Sequence, residues 1–154
     1  SSLTCPHCAT FHLKIFPEIK KKYIDTGKVK MIHRDFPLDL AALNASKLLH
    51  CIEKNKQMNL LDEIYKKQDK WLVGNTIEEI NKNLVRYFGE FGFDENNINK
   101  CFQNTSIEDN ILNSRINGNN KYNIKSTPTI IINDKMLDVP VSFENIEKKI
   151  ENII

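Results

Sequence analysis

The run CPHC, Cys5 to Cys8, holds the residues whose type and spacing most directly suggest chemistry. Two cysteines three apart can clasp a metal, close a small structural disulfide, or cycle between dithiol and disulfide. A zinc ribbon needs a second close pair, whereas the remaining cysteines, Cys51 and Cys101, lie far apart in sequence. His7, His12 and His50 could be recruited, but a lone histidine on a helix is ordinarily just solvated, so no metal is expected. An inert bridge would gain little from closing so short a loop. Pro6 suits the first position of a helix, where its missing N–H costs nothing. A thiolate at Cys5, beside Pro6 and His7, would then meet unpaired N–H groups and a partial positive charge, which lower its pKa. Cys8, one turn further on and shielded by the helix, is the natural resolving thiol.

The elements that must position this pair follow from periodicity. Phe11, Ile15, Phe16, Ile19 and Tyr23 recur at helical spacing as far as Gly27, and Pro17 inside that pattern predicts a kink. Lys28 to Phe36 alternates like a strand, with Val29, Met31, His33 and Asp35 on one side, and leads into a turn at PLD. From Ala41 to about Asn123 every apolar pattern is helical; Thr76 with Glu79 forms a capping box, and Gly74, Gly89 and Gly92 punctuate helix ends. The Asn-rich stretch Asn117 to Asn123 reads as a loose helix end. Thr127 to Asp134 predicts a short strand turned by Asn133-Asp134, with KMLDV returning as its hairpin partner. A last helix is capped by Ser142 and carries Phe143, Ile146, Ile150 and Ile153 on one face.

Composition excludes several function classes. With 154 residues, 40% of them hydrophobic, the chain can build a core of ordinary size. Its 22 basic and 20 acidic residues alternate in short mixed runs, so neither a nucleic-acid groove nor a membrane-surface patch is expected. No apolar run approaches a membrane span, and nothing at the start reads as a signal peptide.

Taken together, CPHC at Cys5–Cys8, HRDFPLD at His33–Asp39 and STPT at Ser126–Thr129 resemble the DsbA-type thiol:disulfide oxidoreductases of the bacterial periplasm, α-proteobacterial members in particular. The similarity covers nearly the whole chain. It implies an α/β, thioredoxin-like fold interrupted by a helical domain, with residues 1–40 and 124–154 forming the thioredoxin-like part and 41–123 the insertion. It further implies a redox disulfide at Cys5 and Cys8, flanking Pro6 and His7, and a cis proline at Pro128 facing it. No cofactor is implied. The partners implied are reduced or misoxidised substrate proteins and a quinone-linked membrane protein of the DsbB type that restores the disulfide. The compartment is the periplasm, with any signal peptide or anchor outside this numbering.

Two departures from the family pattern carry expectations. In the family a central strand runs straight into CxxC, yet only four residues precede Cys5 here, so the sequence is expected to be an excerpt of a longer protein. Well-studied members also carry an acid one turn beyond the second cysteine. His12 stands at that place, so a proton relay under Cys8 must use another group.

A proline before a strand often merely starts it. A cis bond at Pro128 would instead keep the Thr127 backbone free to pair with an extended substrate chain. In an oxidising compartment, Cys51 and Cys101, both on apolar helical stretches, are expected to form a structural disulfide, the alternative being two buried thiols. The function expected is insertion of disulfides into extracytoplasmic proteins, with Cys5 forming the mixed disulfide and Cys8 resolving it. An isomerase or reductase of the same fold, and a non-enzymatic metal- or protein-binding module, are the alternatives.

Overall fold

A computed structural model describes residues 1–154. The segments Pro6–Thr10, Phe11–Ile15, Phe16–Ile19 and Lys20–Ile24 follow one another without a break and together form α1; the second and fourth are π turns. Pro17 has no N–H, and its ring crowds the carbonyl four residues back. The chain answers with a wide turn immediately before it, in which the Phe16 N–H reaches the Phe11 carbonyl five residues back. The disturbance expected at Pro17 thus takes the form of a π turn. Phe11, Phe16, Ile19 and Tyr23 are buried along α1.

The segment after Gly27 corrects one expectation. Val29, Met31, His33 and Asp35 do turn inward while Lys30, Ile32 and Arg34 face out. Yet Lys28 to Phe36 is not a strand of any sheet, and residues 30–33 make no backbone hydrogen bond. Alternation needs only an extended backbone, whereas a strand needs a neighbour for its ladder. The one rung present joins Ser1 to this segment: the Ser1 nitrogen donates to the Arg34 carbonyl at 2.9 Å, and the Phe36 N–H to the Ser1 carbonyl at 2.7 Å. Those two bonds have the pattern of a parallel pair.

The middle of the chain is wholly helical: α2 Leu40–Cys51, α3 Lys54–Lys66, α4 Gln68–Trp71, α5 Ile77–Phe88, α6 Glu95–Phe102 and α7 Thr105–Tyr122. Asp39 starts α2 by accepting from the Ala42 N–H, and Thr76 with Glu79 completes the capping box of α5. Every residue of α2 from Ala41 to Leu49 is buried, because α3, α5, α6 and α7 all pack on it. Lys47 is buried with them; its ammonium donates to the Phe102 carbonyl at 2.7 Å and to the Glu108 carboxylate, so the charge is compensated. A Cys51–Cys101 disulfide ties the end of α2 to α6. The Asn-rich stretch is the regular end of α7, which stops where Asn123 turns left-handed at φ 51°.

β1 (Ile131–Ile132) and β2 (Lys135–Met136) form the antiparallel hairpin, with Ile131 opposite Met136 and Ile132 opposite Lys135. Asn133 and Asp134 both take positive φ, as a two-residue hairpin turn of the I′ type requires. α8 (Phe143–Glu151) starts at Ser142, whose hydroxyl accepts from the Asn145 N–H, and buries Ile146 and Ile150. Ile153 does not continue that face: the helix has ended, the Ile153 N–H bonds the Ile150 carbonyl in a tighter turn, and the side chain is half exposed.

Two apolar cores result. The larger runs from Leu3, Cys5, Cys8 and Ala9 into the helical block, around Trp71, Leu84 and Phe88. The smaller joins Phe11, Phe16, Ile19 and Tyr23 of α1 to Ile146 and Ile150 of α8. No helix is long and apolar enough to cross a membrane.

Candidate active site

Cys5 is the residue that starts α1, with an extended backbone (φ −80°, ψ 120°), and Pro6 opens the first turn. Cys8 lies one turn inward with no solvent exposure, whereas Cys5 keeps 8%. Both are thiols. Across the fold, the Cys5 thiol donates to the Thr127 carbonyl at 3.3 Å, and the peptide between Thr127 and Pro128 is cis. The structure thus brings together Cys5, Pro6, Cys8, Thr127 and Pro128, while Cys51 and Cys101 stand apart in the helical block.

The segment carrying the cysteines is held by the helical block as well as by its own helix. Gln68 of α4 donates from its side-chain amide to the Leu3 carbonyl at 2.7 Å and to the Cys5 carbonyl at 3.3 Å. The Thr4 hydroxyl donates to the Asp39 carboxylate at 2.7 Å, and the Ser2 N–H points at the Cys8 sulfur at 3.5 Å. Sequence reasoning missed Gln68, since a glutamine on a short polar helix carries no pattern that marks it.

The two sulfurs sit in unequal fields. For Cys5, burial works against the thiolate and is the largest single influence. The Thr127 side chain, the Cys8 backbone N–H, the Cys8 thiol and the His7 backbone N–H together outweigh it, so its pKa lies below the ordinary value. The Thr127 hydroxyl is buried and has no partner while Cys5 is protonated and bonded to the carbonyl. A donor is therefore free for the sulfur once it ionises. For Cys8, burial dominates and raises the pKa, against the opposing pull of the Ser2 N–H. One cysteine is set to ionise and the other to remain a thiol. Among the donors that favour the Cys5 thiolate, His7 supplies its backbone N–H, and its imidazole faces solvent.

Behind the cysteines lies a layer of buried polar groups. His12 is 4% exposed, stacked on Phe16 and against Tyr65, and its Nε2 is 2.5 Å from an Asp62 carboxylate oxygen. Asp35 is buried and bonds the His50 ring at 2.7 Å; the largest influence on it is burial, but His50 and His33 prevail and hold its pKa low, while that bond raises the pKa of His50. His33 has its Nε2 fully enclosed without a partner, and burial depresses its pKa to about 4. Nowhere do three or more His, Cys, Asp or Glu side chains converge as metal ligands.

Comparison with known proteins gives concordant results. The family described as Thioredoxin matches residues 1–152. A Rickettsia bellii protein named as a protein-disulfide oxidoreductase is 39% identical over 113 residues, which is 72% of this chain and 42% of that protein. The chain spans less than half the length of the Rickettsia relatives it matches. The Bacillus subtilis disulfide bond formation protein D is 29% identical over 157 residues, covering 96% of this chain and 67% of its own. Among solved structures, Wolbachia pipientis alpha-DsbA1 superposes with a TM-score of 0.83 at 30% identity, covering 99% of this chain and 82% of that one.

Proposed function

Because the chain belongs to the thioredoxin family, with a DsbA-like, thioredoxin-like fold carrying a helical insertion, we propose that it inserts disulfides into extracytoplasmic substrate proteins through Cys5 and Cys8. The observation that carries the exchange chemistry is the placement of Cys5 at the start of α1 against the Thr127 carbonyl with Cys8 enclosed one turn inward, an arrangement that lowers the Cys5 pKa and raises that of Cys8.

In the reaction a substrate thiolate attacks the Cys5 sulfur of the Cys5–Cys8 disulfide. The S–S bond breaks, and Cys8 departs with the electron pair and takes up a proton. The mixed disulfide between Cys5 and substrate is then attacked by the second substrate thiolate, which expels Cys5. The substrate loses two electrons and two protons, and the Cys5–Cys8 disulfide gains them to become the dithiol. A leaving thiol departs faster as its pKa falls, so a stabilised Cys5 thiolate favours release of oxidised product. In the reverse direction Cys8 resolves the mixed disulfide. Thr127 stands where an incoming extended chain can lie against Cys5, which suits substrate pairing along the segment before Pro128.

On this reading the substrates are reduced or misoxidised proteins of the periplasm, and a quinone-linked membrane partner of the DsbB type returns the dithiol to the disulfide. The names of the relatives support the redox chemistry. The test is a glutathione redox titration of Cys5–Cys8, paired with single-turnover oxidation of a dithiol peptide. An oxidising potential with complete peptide oxidation is the expected result. Rescue of scrambled ribonuclease by the reduced protein, without peptide oxidation, would assign an isomerase instead, and neither activity would leave a binding module.

A further inference from the structure

Directly before Thr127 in the chain lies a cleft of about 400 Å³, part apolar and part polar, that the chemistry of the cysteines does not use. Its walls come from three places: Phe36 and Leu38 after the extended segment, Arg115 and Ile116 with the polar Asn119 and Asn120 on α7, and Ile124, Lys125 and Ser126 on the run into Thr127. Leu38 and Ile116 are each about half exposed, at 49% and 52%. That volume lies towards the lower end of the range of small-ligand sites.

Two cations flank the cleft, and neither makes an ion pair with any carboxylate of the chain. Arg115 lies over the Phe36 ring at 5.3 Å and spends one N–H on the Pro37 carbonyl at 2.8 Å, which fixes its plane and leaves other donors free. Lys125 is exposed. The rim of the cleft at Ser126 is one residue from Thr127, whose carbonyl meets the Cys5 thiol. An extended chain rises about 3.3 Å per residue, so a segment paired along this run reaches the cleft within about three residues of the captured cysteine.

We propose that this cleft is a substrate-selecting subsite, which takes a protein segment bearing an apolar side chain and an acidic one about three residues from its reactive cysteine. The inference rests on the redox reading above. Phe36, Leu38, Ile116 and Ile124 receive the apolar side chain. Arg115 and Lys125 receive the carboxylate, and they disfavour a basic residue at the same place.

Two peptide pairs test it. In the first, dithiol peptides differ only in Glu or Lys at that distance from the cysteine, and their oxidation rates are compared with that of dithiothreitol. In the second, the same peptides carry Ser for Cys, and their equilibrium binding is measured. The Glu peptide is expected to react and bind roughly five- to tenfold better than the Lys peptide at low salt, the size of one or two exposed charge pairs. The preference should shrink with added salt and invert in Lys125→Glu combined with Arg115→Glu, with dithiothreitol oxidation unchanged. Lys125→Glu alone, which leaves the Arg115 bond to Pro37 intact, should abolish most of it. Equal binding of the Glu and Lys peptides, or a preference that survives both salt and Lys125→Glu, overturns the subsite. Selective binding with no oxidation of any dithiol would overturn the redox reading and leave the subsite standing.

Discussion

The Cys5 thiol donates to the Thr127 carbonyl at 3.3 Å, joining residues that stand 122 apart in sequence. The Thr127 hydroxyl, buried beside it without a partner, is the leading influence in favour of the Cys5 thiolate. Thr127→Val keeps the shape and the carbonyl but removes that donor. The Cys5 pKa should rise, and alkylation of Cys5 at a pH below it should slow by roughly tenfold, the loss of one hydrogen bond to a charged acceptor. Ultraviolet absorbance of the thiolate against pH measures the first and iodoacetamide kinetics the second. An unchanged titration would remove the hydroxyl from the site.

The same asymmetry fixes how stability depends on redox state. A thiol whose folded pKa is lowered contributes stability above its unfolded value, and loses it as pH falls through the folded value. Cys5 therefore stabilises the reduced protein fully above 9.0 and by less as pH falls through its folded value, and the disulfide gains nothing comparable. Cys8, with a raised pKa, opposes this only where unfolded thiols ionise, near and above 9.0. The reduced form should gain stability relative to the oxidised form as pH rises towards 9.0, and lose that gain on acidification. Paired melts at several pH values show the sign, and a gap that does not move with pH would remove the Cys5 thiolate from the stability of the reduced form.

How far the sequence carried is visible in individual residues. Local signals were legible: Ser142 and Thr76 as caps, Asn133-Asp134 as a turn, and Pro6 as a helix start, because each acts on neighbours within four residues. The inward alternation of Val29 to Asp35 was legible as well, but not its lack of a ladder, which depends on what lies alongside. Cys5 and Cys8 announced themselves by spacing. Gln68 on the Cys5 carbonyl and Asp62 on His12 did not, since their partners lie 63 and 50 residues away and the side chains are ordinary helix-surface types. His7 favours the Cys5 thiolate through its backbone N–H, which any residue would supply there.

The Cys51–Cys101 bond encloses a sequence separation of 50 residues and joins α2 to α6 away from the reactive pair. Closing a loop of that length removes chain entropy from the unfolded state worth about 4 kcal/mol. Cys51→Ala with Cys101→Ala should lower unfolding free energy by about that amount in denaturant titrations, with thiol counting giving two fewer titratable sulfurs after full reduction. Dithiothreitol oxidation by Cys5–Cys8 should persist. A double variant as stable as the parent would mean that the bond constrains nothing.

Acid should destabilise the protein well above the ordinary carboxylate range, and His33 is the reason. Its enclosed ring has a folded pKa of about 4, against 6.5 for the free side chain. Between those values the unfolded state binds a proton that the folded state refuses, so stability falls as pH drops from 6.5 towards 4. The full cost is about 3 kcal/mol at 1.36 kcal/mol per pKa unit. Asp35, with its lowered pKa, adds a further loss at lower pH, when its carboxylate is protonated. His50 works the other way, since its raised pKa contributes stability below 6.5 that is lost as pH rises through the folded value. His33→Gln removes the titration while keeping a polar side chain of similar reach. Its stability should be nearly flat from pH 6.5 to 4 where the parent's declines, apart from the shared Asp35 and His50 contributions. Urea titrations at intervals across that range measure both slopes, and parallel curves for parent and variant would acquit His33.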